Sequence, residues 1–88
     1  MPIISQFYGI IVSMYFDDKN QHNLPHLHSR YNEYKAIVDI STGLINGNMP
    51  GRAVKMIYEW MELHKNELLD NWKKMEKGES MSTINPLD

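Results

Sequence analysis

The chain contains no cysteine among its 88 residues. Disulfide scaffolds, thiol catalysis and thiolate metal sites are therefore excluded, and a reducing compartment fits better than an oxidising one. Long hydrophobic runs are also missing, because the longest one near the start spans only residues 10–12, far less than a signal peptide or a membrane span requires. These absences predict a cytoplasmic protein with no membrane association.

Charge of one sign is not in excess either. Nine Lys and Arg residues stand against eleven Asp and Glu residues, so the formal net charge is -2. Phosphate contacts need unbalanced cations, which disfavours avid nucleic-acid binding but still allows a specific interaction with RNA. The length leaves room for one domain only, and the core of so small a domain is marginal. A homo-oligomer or a bound partner is therefore expected.

The N-terminal half carries strand-forming residues separated by turn-forming clusters. Pro25 favours an extended chain after a polar loop, and Asn32-Glu33 predicts a tight hairpin. Gly9 interrupts the first apolar segment and marks a bulge or a close approach. The predicted strands are residues 3–16, 26–31, 34–40 and 44–45. This pattern predicts an antiparallel meander of three or four strands.

The period of the apolar residues changes after Pro50. They recur at steps of three and four, which predicts one long amphipathic C-terminal helix packed on the sheet. Its apolar stripe comprises Val54, Ile57, Met61, His64, Leu68, Trp72 and Met75. Pro50 suits the first turn, Asn48 is the expected cap, and Gly78 is the expected end. The fold class predicted is α+β, with a single domain over residues 1–79.

Residues 80–88 are expected to form a C-terminal tail, which is flexible unless Ile84 and Leu87 dock on the core. A single helix covers only one face of the sheet, although the first predicted strand is apolar on both faces. The helix also has a second apolar flank, at Met56, Tyr58 and Trp60. These apolar surfaces, which the fold would leave uncovered, predict a homodimer.

The most informative local feature is the sequence Pro25-His26-Leu27-His28. Residues two apart in a strand point to the same face, so both imidazoles can reach one ion or phosphate. His64 lies on the apolar stripe of the helix, and Glu67 follows at i+3, close enough to share a site. If the sheet presents His26 and His28 to that stripe, three histidines converge.

Three such histidines, with Glu67 as an optional carboxylate, suit zinc or another divalent metal. Without metal, His26, His28 and His64 would perform acid-base catalysis on a phosphodiester. The simplest alternative is structural, in which buried histidines bond backbone carbonyls, and His22 in the loop is solvated. Ser-His-Asp order, phosphate-binding glycine loops and His-Glu-x-x-His motifs are absent from the sequence, which argues against the usual cofactor-binding and protease classes.

Several of these segments together resemble one family. They are Met1-Pro2-x-Ile4-Ser5-x-Phe7-Tyr8-Gly9-Ile10, Met14-Tyr15-Phe16-Asp17-Asp18, Pro25-His26-x-His28 and Trp60-x-x-x-His64-x-x-Glu67-Leu68-x-x-x-Trp72. The chain resembles the domain-of-unknown-function family four-one-six-zero. His26, His28 and His64 match histidines that recur in that family. The sequence departs from the family pattern at residues 19–24, which form a longer loop, so His22 has no assigned role.

The resemblance implies a small bacterial protein, often encoded beside another small protein in a toxin–antitoxin-like gene pair. We therefore expect a component of such a module, acting through a protein partner encoded by the neighbouring gene and through RNA at the face formed by His26, His28 and His64. The alternatives are a metal-dependent hydrolytic domain built from the same histidines and a purely structural interaction module. If the protein is an enzyme, it is a nuclease or a metal-dependent hydrolase.

Overall fold

The computed structural model describes residues 3–14 and 24–88. Within these residues, one antiparallel sheet has its strands side by side in chain order, and two helices follow it. The elements are β1 Ile3–Phe7, β2 Ile10–Ser13, β3 His26–Tyr31, β4 Tyr34–Asp39, β5 Ile45–Gly47, α1 Gly51–Leu63 and α2 Lys65–Glu76. The α+β class and the antiparallel meander are confirmed. The predicted number of strands, three or four, is wrong, because the sheet has five strands within the described residues.

The first predicted strand is in fact a hairpin. Phe7 pairs with Ile10, and Tyr8 and Gly9 between them form a two-residue turn. Both turn residues have positive φ, 50° at Tyr8 and 81° at Gly9, as a type I′ hairpin turn requires. Gly9 therefore marks a turn rather than a bulge. The part of the predicted strand beyond Met14, and the loop as far as residue 23 with His22, lie outside the described residues.

The second predicted hairpin, at Asn32-Glu33, is confirmed. Tyr31 stands opposite Tyr34, and Asn32 takes a φ of 54°, a left-handed conformation that asparagine tolerates. Farther along the same pair of strands Leu27 faces Val38, and both side chains are fully buried. This register defines the face of the sheet that forms the core.

The prediction of a single long helix is wrong, because the helical segment divides at His64. The φ and ψ of this residue are -122° and 23°, well away from helical values. The hydrogen bonds nevertheless continue across it, from the His64 N–H to the Trp60 carbonyl and from the Leu68 N–H to the His64 carbonyl. The spacing of the apolar residues therefore persists through the break, which is why their period did not reveal it.

The predicted helix boundaries are partly right. Pro50 is the residue that caps α1, and no side chain caps its free N–H groups, so the capping role predicted for Asn48 is wrong. At the other end Gly78, with a φ of 74°, follows the cap residue Lys77 and ends the helical segment as expected.

The helices bury more of their apolar surface than the stripe predicted. Ile57, Leu68 and Trp72 are buried as expected, but Trp60 is fully buried as well, with its ring 5.3 Å from that of Phe7. Trp60 was expected on an outer flank available to a second copy of the chain. Its burial removes part of the basis for the homodimer, which stays a prediction.

The segment after α2 packs on the rest of the chain. Ile84 is buried, and its N–H donates to the Ile4 carbonyl at 2.8 Å. The Asn71 side chain donates to the Ser82 carbonyl at 2.8 Å and accepts from the Ser82 N–H at 3.0 Å. These bonds hold residues 82–84 against β1 and α2. The division between a domain at residues 1–79 and a tail stays a prediction.

Across residues 3–14 and 24–88, neither helix has the length and apolar content needed to cross a membrane.

Candidate functional site

The structure brings His26 and His28 together at the start of β3. Their rings are 5.3 Å apart and meet edge to face. The His26 ring also packs on Trp72 of α2, at 4.9 Å between centroids. His26 is buried and His28 is half-buried. The pairing of these two imidazoles, expected from their spacing, is thus present.

The hydrogen bonds of His26 fix the tautomer of its ring. Nδ1 lies 2.9 Å from the Leu24 carbonyl, which can only accept, so Nδ1 carries a proton and donates. Nε2 is buried and has no hydrogen-bond partner among the described residues. The Nδ1 bond to a backbone carbonyl is the contact expected of a structural histidine, and it also orients histidines that bind metal through Nε2.

His64 occupies a different environment, at the junction of α1 and α2. Its ring lies 5.7 Å from that of Trp60, and Nδ1 is 2.7 Å from Oε1 of Glu67. The expected pairing of His64 with Glu67 at i+3 is therefore present. Glu67 is about half exposed, so this contact contributes little to stability. Its chemical effect is to orient the imidazole and to leave Nε2 as the nitrogen able to take up a proton.

The three histidines do not form one metal site within the described part of the chain, where no three His, Asp or Glu side chains form a group able to hold a metal ion. Their helix contacts explain the separation. His26 packs on Trp72 of α2, eight residues beyond His64, which is about 12 Å along a helix. His64 packs on Trp60, whose ring contacts Phe7 in the core.

A groove lies between the outer side of α1 and the C-terminal segment. It has a volume of about 990 Å³ and is open to solvent. His64 lines it, together with Lys55, Tyr58, Glu59, Glu62, Leu63, Asn85, Pro86, Leu87 and Asp88. One wall depends on the buried tryptophan of α1, because Trp60 Nε1 donates to the Asn85 carbonyl at 2.8 Å.

The groove combines exposed apolar side chains with an acidic rim. Leu63 is 67% exposed and Tyr58 is 40% exposed, high values for large apolar residues of so small a protein. The Tyr58 hydroxyl donates to the Gly43 carbonyl, which fixes the ring against the loop before β5. Three carboxylates and one lysine are among the lining residues, so negative charge is in excess.

Sequence patterns predicted only part of this groove. The second apolar flank of the helix included Tyr58, which does line it. The role of residues 85–88 has no local signal, because they reach α1 only through contacts distant in sequence, such as the bond between Trp60 and Asn85. A search for apolar and charged residues on the outer side of α1 would have found Leu63, Glu59 and Glu62 as a stripe.

Comparison with known proteins gives one match. The family model described as Domain of unknown function (DUF4160) matches residues 9–73. No curated protein matches the chain. No solved structure matches it either. The matched residues run from the turn at Gly9 through His26, His28, His64 and Glu67 to α2, and they cover well over half of the chain. The chain belongs to the DUF4160 family.

Proposed function

We propose that this protein is one component of a two-protein, toxin–antitoxin-like module of the bacterial cytoplasm, and that it binds the other component through the groove between α1 and residues 85–88. Two facts support this proposal. The family resemblance implies a gene-pair arrangement, and the groove exposes apolar side chains. Interaction sites in small proteins concentrate apolar side chains that folding does not bury.

The exposed apolar side chains of the groove carry this proposal. Leu63 is 67% exposed although it lies between the buried Met61 and the half-buried His64. Tyr58 is held in place by its bond to Gly43, so its ring is ordered before any partner arrives. Ordered aromatic side chains lose little conformational entropy on binding and are frequent among the residues that dominate interface energies.

Exchange of one groove leucine for a charged residue tests the proposal. We expect Leu63→Glu to weaken the complex with the protein encoded by the neighbouring gene by about tenfold to hundredfold, the equivalent of burying one leucine. Leu44→Glu is the matched control, because Leu44 is 65% exposed and does not line the groove. The wild-type protein and the two variants are purified, and each is titrated with the partner by isothermal titration calorimetry.

The same titration contains the result that would overturn the proposal. Absence of any complex with the wild-type protein contradicts the two-component function. Equal weakening by Leu63→Glu and Leu44→Glu contradicts the groove as the binding surface. Thermal unfolding of both variants checks that each retains its fold, which the exposure of both side chains predicts.

A second candidate function is RNA hydrolysis with His64 as the general base. The 2.7 Å contact of His64 with Glu67, on the wall of an open groove, favours it. Oriented imidazoles of this kind contribute to proton transfer in many hydrolases. Acid–base catalysis by His64 requires no metal ion, and the described residues include no group of three His, Asp or Glu side chains able to hold one.

For this candidate the expected result is cleavage of a single-stranded RNA by the wild-type protein. His64→Gln should lower the rate by about a hundredfold or more, and Glu67→Gln by less, because Glu67 only orients the ring. Asn66→Ala, an exposed change on the same helix, is the control. Failure of the wild-type protein to cleave RNA eliminates the candidate, and so does a His64→Gln rate equal to that of the wild type.

A further inference from the structure

We infer that the partner segment held in the groove is an amphipathic helix with Lys or Arg residues along its polar edges. This inference rests on the proposed function and adds to it the chemistry of the partner. The shape and the charge of the groove each support it.

The shape follows from the outer surface of α1. Lys55, Glu59 and Glu62 are spaced at i, i+4 and i+7, so they lie on one face of the helix, and Tyr58 and Leu63 flank them. A helix surface of this kind accepts another helix, ridge into groove. A partner strand would need the free edge of a sheet, and no strand in residues 3–14 and 24–88 lines this groove.

The charge follows from the rim. Glu59, Glu62 and Asp88 are exposed, and none of them forms an ion pair with any residue in the described part of the chain. Lys55 is the one Lys or Arg residue among the lining side chains. Like charges brought close to this rim are repelled, which favours a cationic partner over the phosphates of RNA and over acidic peptides. A cationic segment would pair with carboxylates that have no ion-pair partner among the described residues, and it would associate faster through electrostatic steering.

The test uses charge reversal in the groove with a control of equal net charge. Glu59→Lys/Glu62→Lys changes two rim residues. Glu33→Lys/Glu79→Lys changes two exposed glutamates that do not line the groove. The probe is a labelled Leu/Lys peptide of about 15 residues, with leucines at helical spacing, measured by fluorescence anisotropy. A peptide of the same composition in scrambled order tests the need for an amphipathic helix.

At about 50 mM salt we expect the groove variant to bind the helical peptide at least about tenfold more weakly than the wild type, and the control variant to differ less than about threefold. The difference in peptide affinity between the groove variant and the wild type should be smaller at about 500 mM salt, where exposed charges are screened. Equal losses in the two variants would show a response to net charge alone and overturn the inference. Equal binding of the scrambled peptide would overturn it too.

Two further measurements separate other occupants of the groove. If sedimentation shows that the wild-type protein forms a dimer which Glu59→Lys/Glu62→Lys dissociates, a second copy fills the groove and the inference is wrong. If a single-stranded RNA competes with the peptide for the wild-type groove, the inference is also wrong.

The proposed function and the inference can fail separately. Binding of the neighbouring protein that Leu63→Glu weakens and charge reversal leaves unchanged keeps the proposed function and overturns the inference. Peptide binding with the expected variant pattern, without any complex with the neighbouring protein, supports the inference and overturns the proposed function.

Discussion

Replacement of Gly47 by alanine is expected to lower the free energy of unfolding by about 2–5 kcal/mol, through backbone strain and overpacking together. Gly47 has a φ of 120°, a conformation that residues with a side chain rarely adopt. A Cβ atom at this position would lie 2.5 Å from the Lys35 carbonyl oxygen and 2.9 Å from Ala36 Cα. Both are backbone atoms, so no side-chain rotation relieves the contact.

The chain can relieve this contact in one way, by moving β5 away from β4. Ala36 pairs with Gly47. The Lys35 carbonyl oxygen, with which the new Cβ atom would clash, also accepts the Asn48 N–H at 3.1 Å. We therefore expect the amide of Asn48 to lose protection from hydrogen exchange in Gly47→Ala. β5 is an edge strand, so it can detach while the other strands stay paired. The free energy of unfolding therefore falls by no more than β5 contributes to it.

Gly51→Ala is the matched control for this substitution. Gly51 begins α1, and a Cβ atom there would meet nothing within 4 Å. Alanine favours the helix, so the expected change is zero or a gain of up to about 1 kcal/mol. Urea unfolding of the two variants gives the comparison. Similar midpoints for both would contradict the backbone argument.

The strands that the sequence predicted well are those whose turns have a local chemical signal. Asn32 tolerates a positive φ, and Ala36 and Val38 occupy one face of β4 while Lys35 and Asp39 lie on the other, which fixes the register of this strand. The turn at Tyr8-Gly9 has only half of such a signal, because Gly9 accepts a positive φ but Tyr8 is aromatic, and strand-forming residues flank the pair on both sides. One strand was therefore predicted where the chain folds into two.

The candidate site was predictable only where its residues are close in sequence. The spacing of His26 and His28, and that of His64 and Glu67, determined both observed contacts. Convergence of all three histidines depended on where along the helical segment the start of β3 packs. His26 contacts Trp72 of α2, whereas His64 lies at the junction of α1 and α2 and contacts Trp60. No local pattern in the sequence gives this long-range placement.

Trp60→Ala is expected to cost about 3–5 kcal/mol of stability, the usual range for removing a large aromatic side chain from a core. Trp60 is fully buried, and its ring contacts those of Phe7 and His64. A domain of this length has a total stability of only about 4–13 kcal/mol. The substitution should therefore move the urea midpoint by a large fraction of its value or abolish folding.

Two companion variants distinguish core packing from the other contacts of Trp60. Leu63→Ala on the same helix removes an exposed side chain and should change stability by less than about 0.5 kcal/mol. Trp60→Phe keeps an aromatic ring but loses the Nε1 bond to Asn85, at a cost of about 1 kcal/mol for the bond plus a loss of packing. Equal stability of Trp60→Ala and Leu63→Ala would show that Trp60 is not the centre of the core.

Trp60→Phe also connects the core to the groove. The Nε1 bond is one of the contacts that hold residues 82–85, and Asn85 forms part of the groove wall. Trp60→Phe should therefore remain folded while the hydrogen-bonded amides of Ser82 and Ile84 exchange faster and the partner binds more weakly. If its amide exchange and partner affinity match those of the wild type, the docking of the C-terminal segment does not depend on this bond. The same side chain would then stabilise the fold without shaping the surface that we propose for binding.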